Sequence, residues 1–162
     1  MNLRQDEEHQ YILEMVHDFA VNEVKPLAAE IDQTEEFPTK NVEMMAEMGL
    51  LGIPFPEEYG GSGLDTLAYI QTVEELSKYC ATTGVIVSAH TSLCCTPIYQ
   101  FGTEEQKQKY LPKLCSGEWL GAFALTEPNA GTDAAGQQTV AVDAGDHWVL
   151  NGSKIFITNA GA

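Results

Sequence analysis

Apolar residues recur at three- and four-residue intervals through the first two thirds of the chain, then switch to short, near-alternating runs. Ile12, Val16, Phe19, Ala20, Val24, Leu27 and Ile31 mark one buried face of a first helical stretch. Asp6 is placed to cap its start, with Glu7 and Glu8 set favourably against the helix dipole. Pro26 falls inside the pattern and predicts a kink or a division. A second helix is predicted from about Thr39 to Met48, with Val42, Met45 and Ala46 inward and Gly49 as its stop. The segment LLGIPFPEEYGGSGLD, dense in Pro and Gly, reads as a loop.

After Asp65, the positions Leu67, Ile70, Val73 and Leu76 predict one inward face, leaving Glu74 and Glu75 on a solvated one. A more apolar helix is predicted from roughly Thr83 to Cys95, ending before Pro97. Thr103 and Gln106 form a capping box for a last helix, which carries Tyr110, Leu111 and Leu114, bends at Pro112 and stops near Gly117. From there GEWLGAFALTE and QQTVAVD read as strands, and HWVLNGSKIFIT as two strands joined at Asn151-Gly152, a strong hairpin signal. The predicted fold class is α+β and multidomain: an all-α helical domain over 1–117, then an incomplete antiparallel β domain over 118–162. A sheet that stops directly after its fourth strand has open edges. The expectation is the N-terminal portion of a longer protein, or a chain that another chain completes.

Charge narrows the partners. Eight Lys plus Arg stand against 24 Asp plus Glu, a formal net of −16. Such a surface repels nucleic-acid backbones and anionic membranes. Backbone N–H groups can still hold a phosphate on a ligand. Cys80, Cys94, Cys95 and Cys115 contain no C-x-x-C pair, and His9, His17, His90 and His147 no zinc-binding spacing, so reduced thiols and no metal are expected. No apolar run is long enough to cross a bilayer and no signal segment opens the chain, which places it by default in the cytoplasm.

The most specific chemistry lies at Phe123-Ala-Leu-Thr-Glu-Pro-Asn-Ala-Gly-Thr-Asp133. It turns at Pro128 and Asn129 and offers Gly131, Thr132 and Asp133 in succession, a backbone suited to an anion and flanked by the hydroxyls of Thr126 and Thr132. Taken alone it is a phosphate-friendly turn or an ordinary capped β-turn. No G-x-G-x-x-G or Walker motif is present.

LTEPNAGTDA resembles the flavin-binding signature of the acyl-CoA dehydrogenases. EEYGGSGLD, VEELSKY, QFGTEEQKQKYLPKL and NGSKIFITNAGA match the same family in order and spacing, so the resemblance covers essentially the whole chain and leans toward the short-chain, butyryl-CoA branch. It implies FAD-dependent α,β-dehydrogenation of a short acyl-CoA, electron delivery to an electron-transferring flavoprotein, and a homotetramer in the complete form. It implies FAD contacts for Phe123, Leu125, Thr126, Gly131, Thr132, Phe156, Ile157 and Thr158, with Phe156 standing where the family often has Trp. Phe156 and Thr158, as strand residues, are expected on one face. Thr132 is further implied at the CoA portion of the substrate, and Val85, Ala89 and Leu93 along the acyl chain, although their helical spacing equally suits ordinary core. The glutamate base of the family matches no residue here. Glu127 reads as a conformational residue, so no catalytic residue is assigned. A non-catalytic assembly module and a related flavin-dependent acyl-CoA oxidase stay open as alternatives.

Overall fold

The computed structural model describes residues 6–162. Its helical part runs α1 (Glu7–Phe19), α2 (Lys25–Thr34), α3 (Thr39–Glu47), α4 (Thr66–Tyr79), α5 (Ala81–Ser88), α6 (Thr96–Phe101) and α7 (Glu104–Cys115). Asp6 and the Thr103–Gln106 box cap where the sequence places them, and Asp65 adds a cap to α4. Asp6 accepts from His9 N and Asp65 from Ala68 N, and Thr103 and Gln106 form the reciprocal capping box. Gly49 and Gly117 follow α3 and α7 with φ of 73° and 77°, the left-handed conformation that ends a helix cheaply only for glycine.

Both long helices are interrupted by π turns, Ala20–Val24 between α1 and α2 and Ala89–Cys95 between α5 and α6. Each precedes a proline, Pro26 or Pro97, that supplies no N–H and whose ring would crowd the carbonyl one turn back. The wider turn shifts the bonding from four residues to five, as Lys25 N to Ala20 O and Thr96 N to Thr91 O show. The division expected at Pro26 is present. The end expected before Pro97 is not, because the chain continues as helix to Phe101. Helix α7 likewise runs through Pro112 to Cys115.

The inward face of α4 also differs from expectation. Ala68, Thr72, Glu75 and Leu76 are buried, while Ile70 is exposed. Polar residues can sit inward here because each is satisfied. Thr72 Oγ1 donates to Ala68 O at 2.9 Å, and Glu75 accepts from Lys78 Nζ at 2.6 Å and bonds His17 Nδ1 at 2.8 Å.

Two cores result. Val16, Val24, Met45, Leu50, Leu51, Leu76 and Val87 anchor the larger, and Phe55, Tyr59, Cys95, Leu111, Leu114 and Cys115 the smaller. The loop over 50–65 feeds both, with Leu50, Leu51, Ile53 and Phe55 fully buried. It doubles back so tightly that a Cβ on Gly61 would stand 2.1 Å from Phe55 O.

The β part is smaller than predicted. Strands β1 (Val140–Asp143) and β2 (Trp148–Asn151) pair antiparallel, Val140 opposite Asn151 and Asp143 opposite Trp148, and all eight residues are exposed. Their turn spans 144–147, where Ala144 N donates to His147 O at 2.9 Å and Gly145 takes φ 97°. The hairpin predicted at Asn151-Gly152 is absent. Gly152 instead lies flat against Thr139, where a Cβ would meet Thr139 Oγ1 at 2.1 Å. GEWLGAFALTE is not a strand: 117–119 turn off the end of α7, and 120–126 form an extended segment outside any ladder, with Gly121 N, Gly121 O and Leu125 O taken by side chains and Thr126 O by Ile155 N. The strand predicted over KIFIT is also absent, interrupted by Phe156 at φ 57°.

Candidate functional site

Three separate stretches of chain meet in one hollow of about 210 Å³. Ala89 and Leu93 come from the π turn after α5, Phe123, Leu125 and Thr126 from the extended segment, and Phe156, Ile157 and Thr158 from the segment after β2. The last two are joined directly, Ile155 N donating to Thr126 O at 2.9 Å. The lining is chiefly apolar, with the Thr126 and Thr158 side chains as its polar groups. Phe123, Leu125, Leu93 and Phe156 are all partly or largely exposed, Phe156 at 88%. Phe156 and Thr158 share the hollow, although through the left-handed conformation of Phe156 and not through strand alternation.

Sequence-predicted residues outside the hollow fall in two places. Val85, one helical turn before Ala89, is half exposed and does not line it. Gly131 and Thr132 are exposed just beyond a tight turn, which Glu127 N and Ala130 N close by donating to Ala130 O at 3.0 Å and Glu127 O at 3.1 Å. A Cβ on Gly131 would meet nothing within 4 Å, so the backbone there is open to an approaching group.

The turn is held by a residue that local patterns do not reveal. Lys154 Nζ donates to Leu125 O at 2.8 Å, to Glu127 Oε1 at 2.8 Å and to Gln137 Oε1 at 2.7 Å, which uses all three of its hydrogens. Buried Glu127 also accepts from Gln138 N at 2.6 Å and Thr139 N at 3.0 Å. Lys154 first, then Thr139 and Gln138, hold its carboxyl at about 2, well below the ordinary 4.5. A carboxylate so fully engaged holds structure and is a poor proton acceptor. Glu127 thus ties the turn to the start of β1 and to the segment after β2.

Behind the hollow sits His90, fully buried in the π turn. Burial pushes its imidazole down to about 4, so it is neutral. Its Nδ1 accepts from Gly121 N at 2.8 Å, which puts the proton on Nε2, 3.4 Å from Cys95 Sγ. All four cysteines are free thiols.

A larger open groove of about 690 Å³ runs between α1 and α4. Three of its polar groups, His17, Glu75 and Lys78, already satisfy one another. Burial raises the Glu75 carboxyl, but the hydrogen bonds from Lys78 and His17 outweigh it and leave it below its ordinary value. The smaller hollow, with its exposed aromatic and aliphatic walls, is the better candidate for a ligand.

Residues 6–118 match the model of the acyl-CoA dehydrogenase N-terminal domain, and residues 122–162 that of the acyl-CoA dehydrogenase middle domain. The chain belongs to the acyl-CoA dehydrogenase family. It is 63% identical over 161 residues to the short-chain specific acyl-CoA dehydrogenase of Clostridium acetobutylicum, covering 99% of this chain and 42% of that one. The butyryl-CoA dehydrogenase structure from Megasphaera elsdenii superposes with a TM-score of 0.93 at 46% identity, over 99% of this chain and 43% of that one. An acyl-CoA dehydrogenase of Bacillus anthracis, complexed with FAD, gives a TM-score of 0.89 at 43% identity, over 96% of this chain and 27% of that one. The chain therefore spans less than half the length of these relatives. Among the described residues, no helix is long and apolar enough to cross a membrane.

Proposed function

We propose that the hollow receives the flavin ring of FAD and that the chain forms one side of a site for α,β-dehydrogenation of a short-chain acyl-CoA. The convergence of Phe123, Leu125 and Thr126 with Phe156, Ile157 and Thr158 on a single hollow carries this reading. A flat heterocycle with a polar edge suits exposed aromatic and aliphatic walls that carry two threonines, since burying those walls removes apolar surface from water. When bound, FAD would supply the acceptor for the hydride that leaves the β-carbon.

The chain's own residues position and shield. Phe123, Leu125 and Phe156 exclude water from one side of the ring. Thr126 and Thr158 hydrogen-bond at its polar edge. The open backbone at Gly131 and Thr132 would hold the phosphates of FAD, and Thr132 would also contact the CoA portion of the substrate. Val85, Ala89 and Leu93 line the acyl chain's path. None of the eight residues around the hollow is an acid or a histidine, so the acceptor of the α-proton is assigned to none of them. Electron delivery to an electron-transferring flavoprotein, a homotetrameric whole and a cytoplasmic setting belong to the same reading.

The test is an FAD titration of the chain, followed by flavin fluorescence, for the wild type and for Leu125→Arg. The expected result is weak but saturable binding that the arginine abolishes, with no bleaching on adding butyryl-CoA. Equal behaviour of the two proteins would overturn the flavin assignment. Bleaching would show that a base does lie within this chain.

A further inference from the structure

Gly121 is gripped at both ends of its backbone by side chains from two different parts of the fold. Its N–H donates to His90 Nδ1 at 2.8 Å, and its C=O accepts from Asn159 Nδ2 at 3.0 Å. The same Asn159 amide donates to Ile86 O at 3.2 Å, on α5. There is no room for slippage: a Cβ on Gly121 would stand 2.6 Å from Cys94 Sγ and 3.2 Å from His90 Nδ1. Asn159 itself is held at φ 68°, a left-handed conformation that asparagine tolerates better than most residues.

The three elements joined here also supply the three walls of the hollow. His90 lies between Ala89 and Leu93, Gly121 precedes Phe123 and Leu125, and Asn159 follows Thr158. We infer that His90 and Asn159 are positioning residues which, by fixing Gly121 between helix and C-terminal segment, set the spacing of the hollow's walls. The inference rests on the flavin reading for what fills the hollow, and on the hydrogen bonds alone for how the walls are fixed. Gly121 is buried and has no strand partner, so these side-chain hydrogen bonds satisfy its N–H and C=O and hold it in register.

Asn159→Gly is the decisive variant, because glycine keeps the left-handed backbone and removes only the amide. His90→Ala removes the acceptor, and His90→Gln offers a replacement carbonyl oxygen. Amide exchange by mass spectrometry and FAD titration are measured on each protein. The expected result for Asn159→Gly and His90→Ala is at least a tenfold rise in exchange over 119–126, with α1 to α4 unchanged, and at least threefold weaker FAD binding. His90→Gln recovers part of both. Unchanged exchange over 119–126, or a rise spread over the whole chain, overturns the inference. If the wild type binds no flavin, the flavin reading fails by itself, and the exchange over 119–126 still decides whether these two residues hold the walls.

Discussion

Lys154 and Glu127 meet at 2.8 Å across 27 positions of sequence, and through them the turn after the extended segment is fastened to the segment after β2. The pair is largely shielded from water, with the Lys154 side chain 19% and the Glu127 side chain 6% exposed. Removing one partner of such a pair strands the other, which costs more than the pair itself contributes. Lys154→Met is expected to lower the thermal midpoint by roughly 5–10 °C, and Glu127→Gln by less, because the one remaining carbonyl oxygen can still accept from Thr139 N and Lys154 Nζ, which share a single oxygen of the glutamate, while only the bond from Gln138 is lost. Thermal melts at pH 7 check the order.

Acid dependence follows from the same carboxylate. Glu127 has a folded value of about 2, below its ordinary 4.5, so its contribution is complete above 4.5 and is lost as pH falls through about 2. Denaturant melts between pH 5 and pH 2 are expected to lose stability more steeply in the wild type than in Glu127→Gln.

His9 carries the opposite dependence. It bridges the two helix-capping aspartates, with Nδ1 2.6 Å from Asp6 and Nε2 3.0 Å from Asp65. Asp65 first, then Asp6, raise the imidazole above 6.5, while the backbone N–H bonds and His9 lower both aspartates below 3.8. The His9 contribution is whole below 6.5 and disappears as pH climbs through the raised value. The aspartate contributions are whole above 3.8 and disappear on acidification. Stability of the α1–α4 contact is therefore expected to be greatest between about 4 and 6.5, and His9→Gln is expected to flatten the alkaline side of a midpoint-versus-pH profile.

Phe156 is expected to separate stability from binding. In the left-handed region a phenylalanine is disfavoured by about 1 kcal/mol, and its exposed ring returns little packing. Phe156→Gly is expected to leave the melting midpoint unchanged or raise it slightly, while weakening FAD binding. A large loss of stability in this variant would show that the ring has a folding role.

Gly152→Ala is expected to do the reverse. The added methyl meets the Cβ and Cα of Thr139 at 2.6 and 2.8 Å, so β1 or the segment after β2 must move. Overpacking of this kind costs on the order of 1–3 kcal/mol, and circular dichroism with chemical denaturation measures it.

The helical half was legible because its signals are local. Asp6, Asp65 and Thr103 act within one turn of themselves, and Gly49 and Gly117 need only their own φ. The β half misled for the same reason. Trp119, Phe123 and Leu125 look like a strand, yet strand formation requires a neighbour, and here His90, Asn159 and Lys154 take the backbone bonds instead. Asn151-Gly152 has hairpin chemistry, but Asn151 is paired with Val140 and Gly152 lies against Thr139, so the turn is at 144–147. Glu75 read as solvated because its partner His17 lies 58 positions away. Of the candidate site, the aromatic, aliphatic and hydroxyl residues were readable from motif resemblance. Lys154, His90 and Asn159 act through contacts that exist only after folding, and no spacing announces them.

The π turn at Ala89–Cys95 has a consequence for the whole rod from Ala81 to Phe101. One surplus residue per turn advances everything downstream by about 100° around the axis. The two halves of the rod are thereby out of phase, so that a side that is outward in one half need not be outward in the other. Ala89 and Leu93 sit at that dislocation. The wall they form owes its orientation to an irregularity of winding, and straightening the helix would turn it away even with every side chain left in place.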